Sequence, residues 1–180
     1  MAPPLSQVRG TILTDQDDKT QLSIDSSIIT DVSKIQFILK NLNFRVGRIR
    51  LLYRATQNFS VEAFHQKVDG VGNTLTLIQG GNFVVGGFTT QTWDAVEGFK
   101  SDEKAFLFNI NDQKIYPVNR PDYAIFTSNT VFTCFGQAPR AVESAFPTSY
   151  GDPRREQREL ELTNGNAKIR LTELEVFALE

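Results

Sequence analysis

The stretch from residue 73 to residue 87, NTLTLIQGGNFVVGG, decides the fold class of this chain. Threonine and leucine alternate over residues 74–77, a period of two that is typical of a β-strand with one buried face. Gly80 and Gly81 then give a two-residue signal for a hairpin turn, and the apolar run 83–85 predicts the returning strand. The stretch therefore predicts an antiparallel β-hairpin.

Short apolar segments separated by turn residues recur on both sides of this hairpin. Further strands are predicted at 48–54, 105–110, 115–116, 123–126, 131–135, 169–171 and 173–177. Two helices are predicted near the start, one over 32–42 behind the cap residues Thr30 and Asp31, and one behind Ser60. The whole pattern predicts a mainly β (α+β) fold, a two-sheet antiparallel β-sandwich with flanking short helices.

The first 27 residues differ in composition from the rest. They contain Pro3, Pro4 and the polar run 15–19, with few large apolar side chains. Such a segment cannot bury enough apolar surface to offset the entropy lost when it becomes ordered. We therefore predict an extended N-terminal arm over 1–27, held by a partner or packed on the domain, and a domain over 28–180.

Overall charge and hydropathy exclude several classes of protein. With 19 basic and 21 acidic residues the chain has a net charge of −2, without the basic surplus expected of a nucleic-acid binder. No apolar run approaches the roughly 20 residues that span a bilayer, and the first ten residues lack the apolar core of a signal peptide. We expect no nucleic-acid partner, no direct membrane insertion and a cytoplasmic location.

The chain has one cysteine, Cys134, and one histidine, His65. These counts rule out an intramolecular disulfide and any metal site built on several Cys or His ligands, so no metal and no cofactor are predicted. Cys134 stands beside Phe132 and Phe135 and is predicted to be a buried, inert thiol. His65 could act as a general base, but a surface or capping role is favoured because no nucleophile pairs with it.

Catalytic signatures are absent from the sequence: it has no G-x-S-x-G elbow, no P-loop and no H-E-x-x-H motif. Gly86 and Gly87 do not belong to a dinucleotide-binding motif and instead indicate a close approach between strands. The sequence therefore predicts a protein that is not an enzyme.

Two sets of charged residues are candidates for binding. The arginines at 45, 48, 50 and 54 could form a partner-binding stripe, although a solvated strand face is the favoured interpretation. Glu173 and Glu175 are spaced i, i+2 on the last strand and could bind a cation or share a proton. An exposed strand face is again the favoured interpretation of this pair.

Several strings of the sequence, taken in order, resemble a known domain. They are LLYRA at 51–55, AFHQK at 63–67, GNTLTLI at 72–78, VGGF at 85–88, Trp93, AFLF at 105–108 and LEVF at 174–177. In this order and spacing they resemble the TLDc domain of the oxidation-resistance protein family, over about residues 27–179. Gln57–Asn58 replaces an Asp-Gly pair that is frequent in the family, and the region 136–157 departs from its glycine-rich pattern.

The resemblance implies a two-sheet sandwich, in agreement with the pattern. It also implies protection against oxidative damage and binding to the vacuolar-type proton ATPase, and it brings no accepted reaction. The residues that carry over as candidate partner-binding positions are Arg54, His65, Glu173 and Glu175.

We therefore expect a non-enzymatic interaction module that binds a large protein complex, with the proton ATPase as the partner implied by the resemblance. One alternative is a structural subunit built into ciliary (axonemal) microtubules or a mitochondrial complex. The other is a redox-protective enzyme. The expected location is the cytoplasm, with attachment to an organelle membrane complex or a cilium as part of the hypothesis.

Overall fold

The computed structural model describes residues 22–136, 150 and 171–180, together with the backbone of residues 8–9. Within these residues the chain forms short strands, two α-helices and one 3₁₀ helix. The strands are β1 (Val8–Arg9), β2 (Ser23–Ile24), β3 (Ile49–Ala55), β4 (Thr74–Gly80), β5 (Phe83–Thr89), β6 (Gly98–Lys100), β7 (Phe106–Asn109), β8 (Lys114–Pro117), β9 (Ile125–Thr127), β10 (Cys134–Phe135) and β11 (Glu173–Leu179). The helices are α1 (Val32–Leu39), α2 (Val61–Val68) and the 3₁₀ helix Pro121–Tyr123.

The larger sheet is antiparallel and has the strand order β3-β11-β4-β5-β7-β8. The smaller sheet has the order β10-β9-β6, and β1 pairs with β2 as a two-stranded ribbon. Although β11 is the last strand in the sequence, it lies inside the larger sheet between β3 and β4. The predicted mainly β sandwich of two antiparallel sheets with short helices is confirmed.

Both faces of the larger sheet are apolar because both are covered. One face packs against α1 and residues 22–29, and the other packs against α2 and the smaller sheet. Buried residues on the first face include Ile24, Ile29, Ile35, Ile38, Leu75, Leu77, Phe88, Phe108 and Phe177. Buried residues on the second face include Tyr53, Phe64, Val68, Trp93, Ile125, Leu174 and Val176.

The two α-helices begin at the predicted caps. Oδ1 of Asp31 accepts the N–H of Ser33 at 2.9 Å, and Oγ of Ser60 accepts the N–H of Ala63 at 3.1 Å. The first helix ends at Leu39, earlier than predicted, because the side-chain amide of Asn41 donates to the carbonyl of Phe37 and the next turn tightens to i→i−3 bonds. Among the described residues, no helix is long and apolar enough to cross a membrane.

The hairpin predicted at 73–87 is confirmed, with its turn one residue later than expected. Gly80 still pairs with Phe83, so Gly81 and Asn82 form the turn. Gly81 has a φ of +61°, a left-handed conformation that favours glycine.

The other strand predictions agree in place and differ at their ends. The segments 48–54, 105–110, 115–116, 131–135 and 173–177 contain or overlap β3, β7, β8, β10 and β11. The strand predicted at 123–126 begins only at Ile125 because Pro121–Tyr123 forms a 3₁₀ helix. Residues 169 and 170 lie outside the described part of the chain, and Leu171 precedes β11.

Gly86 and Gly87 on β5 make the close approach that the sequence predicted. A Cβ on Gly86 would overlap the carbonyl oxygen of Thr76 and lie 2.5 Å from the ring of Phe108. A Cβ on Gly87 would lie 2.6 Å from the ring of Phe135. The two faces of β5 therefore seat one aromatic ring each, where only glycine leaves room.

We predict that Gly86→Ala lowers the free energy of unfolding by more than about 2 kcal/mol, because the added methyl group overpacks the core. Urea unfolding followed by circular dichroism measures this change. Gly98→Ala on β6 is the matched control, since a Cβ there meets nothing within 4 Å. Equal stability of the two variants would contradict the packing explanation.

Candidate functional site

The most unusual side chain in the described structure is the carboxylate of Glu175, which lies in the middle of β11 and is 0 % exposed. Its neighbours across the sheet are Arg54 on β3 and Leu77 on β4. Because side chains alternate along a strand, Glu175 shares the α1-covered face with Phe177. A buried carboxylate costs several kcal/mol unless donors surround it, so its partners must offset the cost of its burial.

Arg54 is the charged partner of Glu175. Its Nε donates to Oε1 of Glu175 at 2.6 Å, and its Nη2 donates to the carbonyl of Asp25 at 2.7 Å and to Oδ1 of Asp25 at 3.2 Å. Burial acts to lower the pKa of Arg54, but the hydrogen bonds and charges of Glu175 and Asp25 outweigh it and raise that pKa. The guanidinium thus joins the edge of the sheet to the segment that precedes α1.

That segment, residues 22–29, is called the strap here. The hydroxyl of Ser26 donates to Oε2 of Glu175 at 2.5 Å and itself accepts the N–H groups of Ile28 and Ile29 at 3.2 and 2.9 Å. The N–H of Ser27 donates to Oε1 of Glu175 at 2.9 Å. Both carboxylate oxygens are therefore satisfied, and the strap is folded around the carboxylate.

Glu173 lies at the outer side of the same group. The hydroxyl of Ser27 lies within hydrogen-bond distance of Oε1 of Glu173 and of Oε1 of Glu175, at 3.0 Å from the latter. Glu173 is partly buried and borders the strap. The structure thus brings together three of the four candidate residues, Arg54, Glu173 and Glu175, in one network.

The favoured sequence interpretations of these charges as solvated strand faces are wrong for Glu175 and for Arg54. Both point to the strap rather than to water, and the strap supplies the donors and acceptors that make their burial possible. At the start of β3, Arg50 and the preceding Arg48 remain more exposed, at 2.5 and 3.7 Å from the carboxylate of Glu180. Strand alternation predicts the same environment for Arg48, Arg50 and Arg54, so it cannot distinguish the more buried arginine from the two more exposed ones.

His65 lies apart from this network, on α2. Its Nδ1 is 2.8 Å from Oδ1 of Asp69, and its Nε2 is 3.0 Å from the carbonyl oxygen of Ser128. Its ring also packs edge-on against Phe64, with centroids 5.0 Å apart. The histidine therefore joins α2 to the loop after β9, in a positioning role.

Sequence reasoning missed two sets of residues. Ser26 and Asp25 of the strap carried no recognised motif, although the apolar pair Ile28–Ile29 beside them marks the segment as one that packs. Asp102 was also missed: it is buried and accepts from the Thr89 hydroxyl and from the N–H groups of Thr90 and Lys104. Only the N–H of Lys104 is close enough in sequence to have given a local signal.

A groove of about 420 Å³ runs beside the strap, between β2 and β3. It is lined by residues 22–25 and 47–51, which include the arginines held by Glu180. Among the residues that the structure describes, no group of three or more His, Cys, Asp or Glu side chains is placed to hold a metal ion.

Cys134 on β10 was predicted to be a buried, inert thiol. It is partly buried, and burial raises its pKa from the ordinary 9.0 to about 11. A thiol with this pKa carries little thiolate near neutral pH, and the thiolate is the reactive form. The environment of Cys134 therefore lowers its reactivity.

A family model described as the TLDc domain matches residues 23–180, nearly the whole chain. The chain belongs to the TLDc domain family. No curated protein matches it. The match begins at the first residue of β2, so residues 23–29 of the strap and their partner Glu175 lie inside the TLDc domain. Our division at residue 27 stays a prediction.

The region 136–157, where the sequence departs from the family pattern, is described only at Gly136 and Tyr150. The hydroxyl of Tyr150 donates to the carbonyl of Ala124 at 2.6 Å, and burial raises the pKa of this tyrosine. The remaining residues of this region lie outside the described structure.

We predict that Glu175→Gln lowers the free energy of unfolding by about 2–4 kcal/mol, because the uncharged amide leaves Arg54 without its main partner. Urea unfolding measures the change. Hydrogen exchange should show faster exchange at the N–H groups of Ser27, Ile28 and Ile29, which the network protects.

Glu180→Gln is the matched control for this experiment. It removes a carboxylate from an exposed arginine pair at the end of the same strand, where screening by water leaves little net stabilisation. If the two variants lost equal stability, or if the strap amides kept their protection in Glu175→Gln, the anchoring role of Glu175 would be refuted.

We also predict slow modification of Cys134. At pH 8 a rise in pKa from 9.0 to about 11 reduces the thiolate fraction about 100-fold. The rate of reaction with Ellman's reagent should therefore be at least ~100-fold lower for the native TLDc domain than for the same chain in urea. A native rate close to the unfolded rate would contradict the assignment of Cys134 as an inert thiol.

Proposed function

We propose that this TLDc domain is a non-enzymatic protein-interaction module that binds a large protein complex. The partner implied by the family resemblance is the vacuolar-type proton ATPase. Protection against oxidative damage then follows from the activity of the bound complex and does not require chemistry at the domain itself. The proposal places the chain in the cytoplasm, at the organelle membrane that carries the pump.

The observation that carries the proposal is how the buried polar side chains are used. Glu175 is enclosed by donors from the strap and from Arg54, and Asp102 is enclosed by Thr89 and two backbone N–H groups. A carboxylate whose oxygens are occupied by the protein's own donors is not presented to a substrate. These side chains serve to hold segments of the fold together.

The candidate partner-binding residues fit this proposal in a supporting role. Arg54, Glu173 and Glu175 shape the strap, and His65 fixes the loop after β9. We propose that their substitution weakens partner binding by loosening these segments, and that the partner touches other, exposed side chains.

The test uses the full chain, tagged and immobilised, with native extract followed by mass spectrometry. We expect subunits of the proton ATPase to be recovered, and the purified cytosolic sector of the pump to co-elute with the chain in size-exclusion chromatography. Recovery of tubulin or of respiratory subunits without pump subunits would contradict the proposal and favour a built-in structural role.

The control for chemistry is the single variant Cys134→Ser, which removes the one thiol of the chain and leaves the contacts of His65 intact. If the domain acts by binding, this variant should still co-elute with the pump and still protect cells challenged with peroxide. Loss of protection with unaltered pump binding would contradict a purely non-enzymatic role and favour the redox-protective alternative.

A further inference from the structure

The outer surface of the smaller sheet carries an exposed apolar cluster. Val96, Phe99 and Tyr123 are 73 %, 42 % and 41 % exposed, and they are the large apolar side chains that stand out as exposed in the described structure. Phe99 and Tyr123, whose rings are in contact, and Arg120 are called the aromatic patch here. Exposed aromatic side chains next to an arginine are the composition that is enriched at protein-binding hot spots.

The rings of the aromatic patch are held in place before any partner arrives. Phe99 packs edge-on against Tyr123 at 5.0 Å between centroids and against Phe126 at 5.1 Å. Phe126 is its direct cross-strand neighbour on β9 and is buried. Because these contacts fix the ring of Phe99, docking on it costs little side-chain entropy.

Arg120 supplies the positive charge of the aromatic patch. Its guanidinium carbon lies 4.9 Å from the ring centroid of Tyr123, a cation–π contact. No carboxylate of the described residues forms an ion pair with Arg120. A partner that offers a carboxylate at this point therefore gains a pairing that the described residues do not supply.

The patch also adjoins an open strand edge. β6, which carries Phe99, is the terminal strand of the smaller sheet, and no described strand pairs with its outer side. An edge strand presents backbone N–H and C=O groups that an added strand can pair with. This geometry favours an extended segment as the partner.

We propose that the aromatic patch docks an extended segment of a partner protein, an inference that rests on the proposed function. An apolar side chain of that segment packs against Phe99 and Tyr123. The segment places an Asp or Glu side chain on the guanidinium of Arg120. Backbone pairing along β6 sets its direction, and the apolar side chain with its neighbouring carboxylate sets its sequence preference.

Two other occupants fit the surface less well. An anionic membrane is bound by a cluster of several cations, whereas the patch offers Arg120 alone and is flanked in sequence by the exposed carboxylates of Glu97 and Asp122. A single Asp or Glu side chain needs only the one guanidinium. A second copy of the chain, docked symmetrically, would bring two Arg120 guanidinium groups into one small interface.

The test is selection of a phage-displayed library of random peptides on the full chain. We expect enriched peptides to combine a large apolar residue with an Asp or Glu close by. Arg120→Glu should reverse the charge preference to Lys and Arg, and the double variant Phe99→Ser, Tyr123→Ser should weaken binding of an enriched synthetic peptide at least ~10-fold in fluorescence anisotropy. Enrichment that is indifferent to Arg120→Glu would overturn the proposal.

Glu62→Gln, on the exposed face of α2, is the control variant and should bind the peptide as the unmodified chain does. Thermal unfolding checks that each patch variant remains folded. Two further measurements test the other occupants: sedimentation velocity for a dimer, and flotation with phosphatidylserine–phosphatidylcholine vesicles. A dimer or vesicle binding that disappears in the Phe99→Ser, Tyr123→Ser variant would overturn a peptide-docking role.

The same variants separate this inference from the proposed function. If the chain binds the proton ATPase and the Phe99→Ser, Tyr123→Ser variant binds it equally well, the aromatic patch is not the docking surface and the proposed function stands. If the patch selects acidic peptides but pump subunits are not recovered, the proposed partner is wrong and the docking surface stands.

Discussion

The burial of one carboxylate constrains the whole described structure. Glu175 lies in the interior strand of the larger sheet, and its donors come from the strap and from Arg54 on the neighbouring strand. The strap and Arg54 both lie more than a hundred residues before Glu175 in the sequence. The beginning and the end of the domain must therefore meet before either is stable, a long-range requirement of the kind that slows folding.

This constraint supplies specificity more than stability. A buried ion pair is often no more stable than apolar side chains of the same volume, since desolvation opposes the attraction. A shift of one residue in the register of β11 would instead turn Glu175 to the face occupied by Leu174 and Val176, where Tyr53, Phe64 and Trp93 cluster. The network thus makes one register of the central strand far more favourable than its neighbours.

In this TLDc domain two carboxylates are buried, whereas two large aromatic side chains are exposed. Carboxylates with the potential for chemistry, Glu175 and Asp102, are buried and satisfied by the fold itself. Large apolar side chains with the potential for binding, Phe99 and Tyr123, remain exposed beside Arg120, with which no carboxylate of the described residues forms an ion pair. This distribution supports the proposal that the domain recognises another protein by its surface.

The local elements and the fold class could be predicted from the sequence. Ser60 and Asp31 cap helices through bonds to residues two or three positions away, the hairpin at 73–87 follows from alternation and glycine, and Gly86 and Gly87 signal close packing. Each of these signals operates over a few residues, so it can be recognised without the rest of the chain.

The sequence could not predict which charges are buried and which aromatic rings are exposed, because both depend on the tertiary structure. Glu173 and Glu175 alternate with Leu174, as charged residues do on a solvated strand face. The strap nevertheless covers Glu175, because β11 inserts between β3 and β4. A phenylalanine such as Phe99 is expected in a core, yet it is 42 % exposed on β6, the terminal strand of the smaller sheet among the described residues. Strand order and the path of the strap depend on contacts between distant residues, which no local pattern encodes.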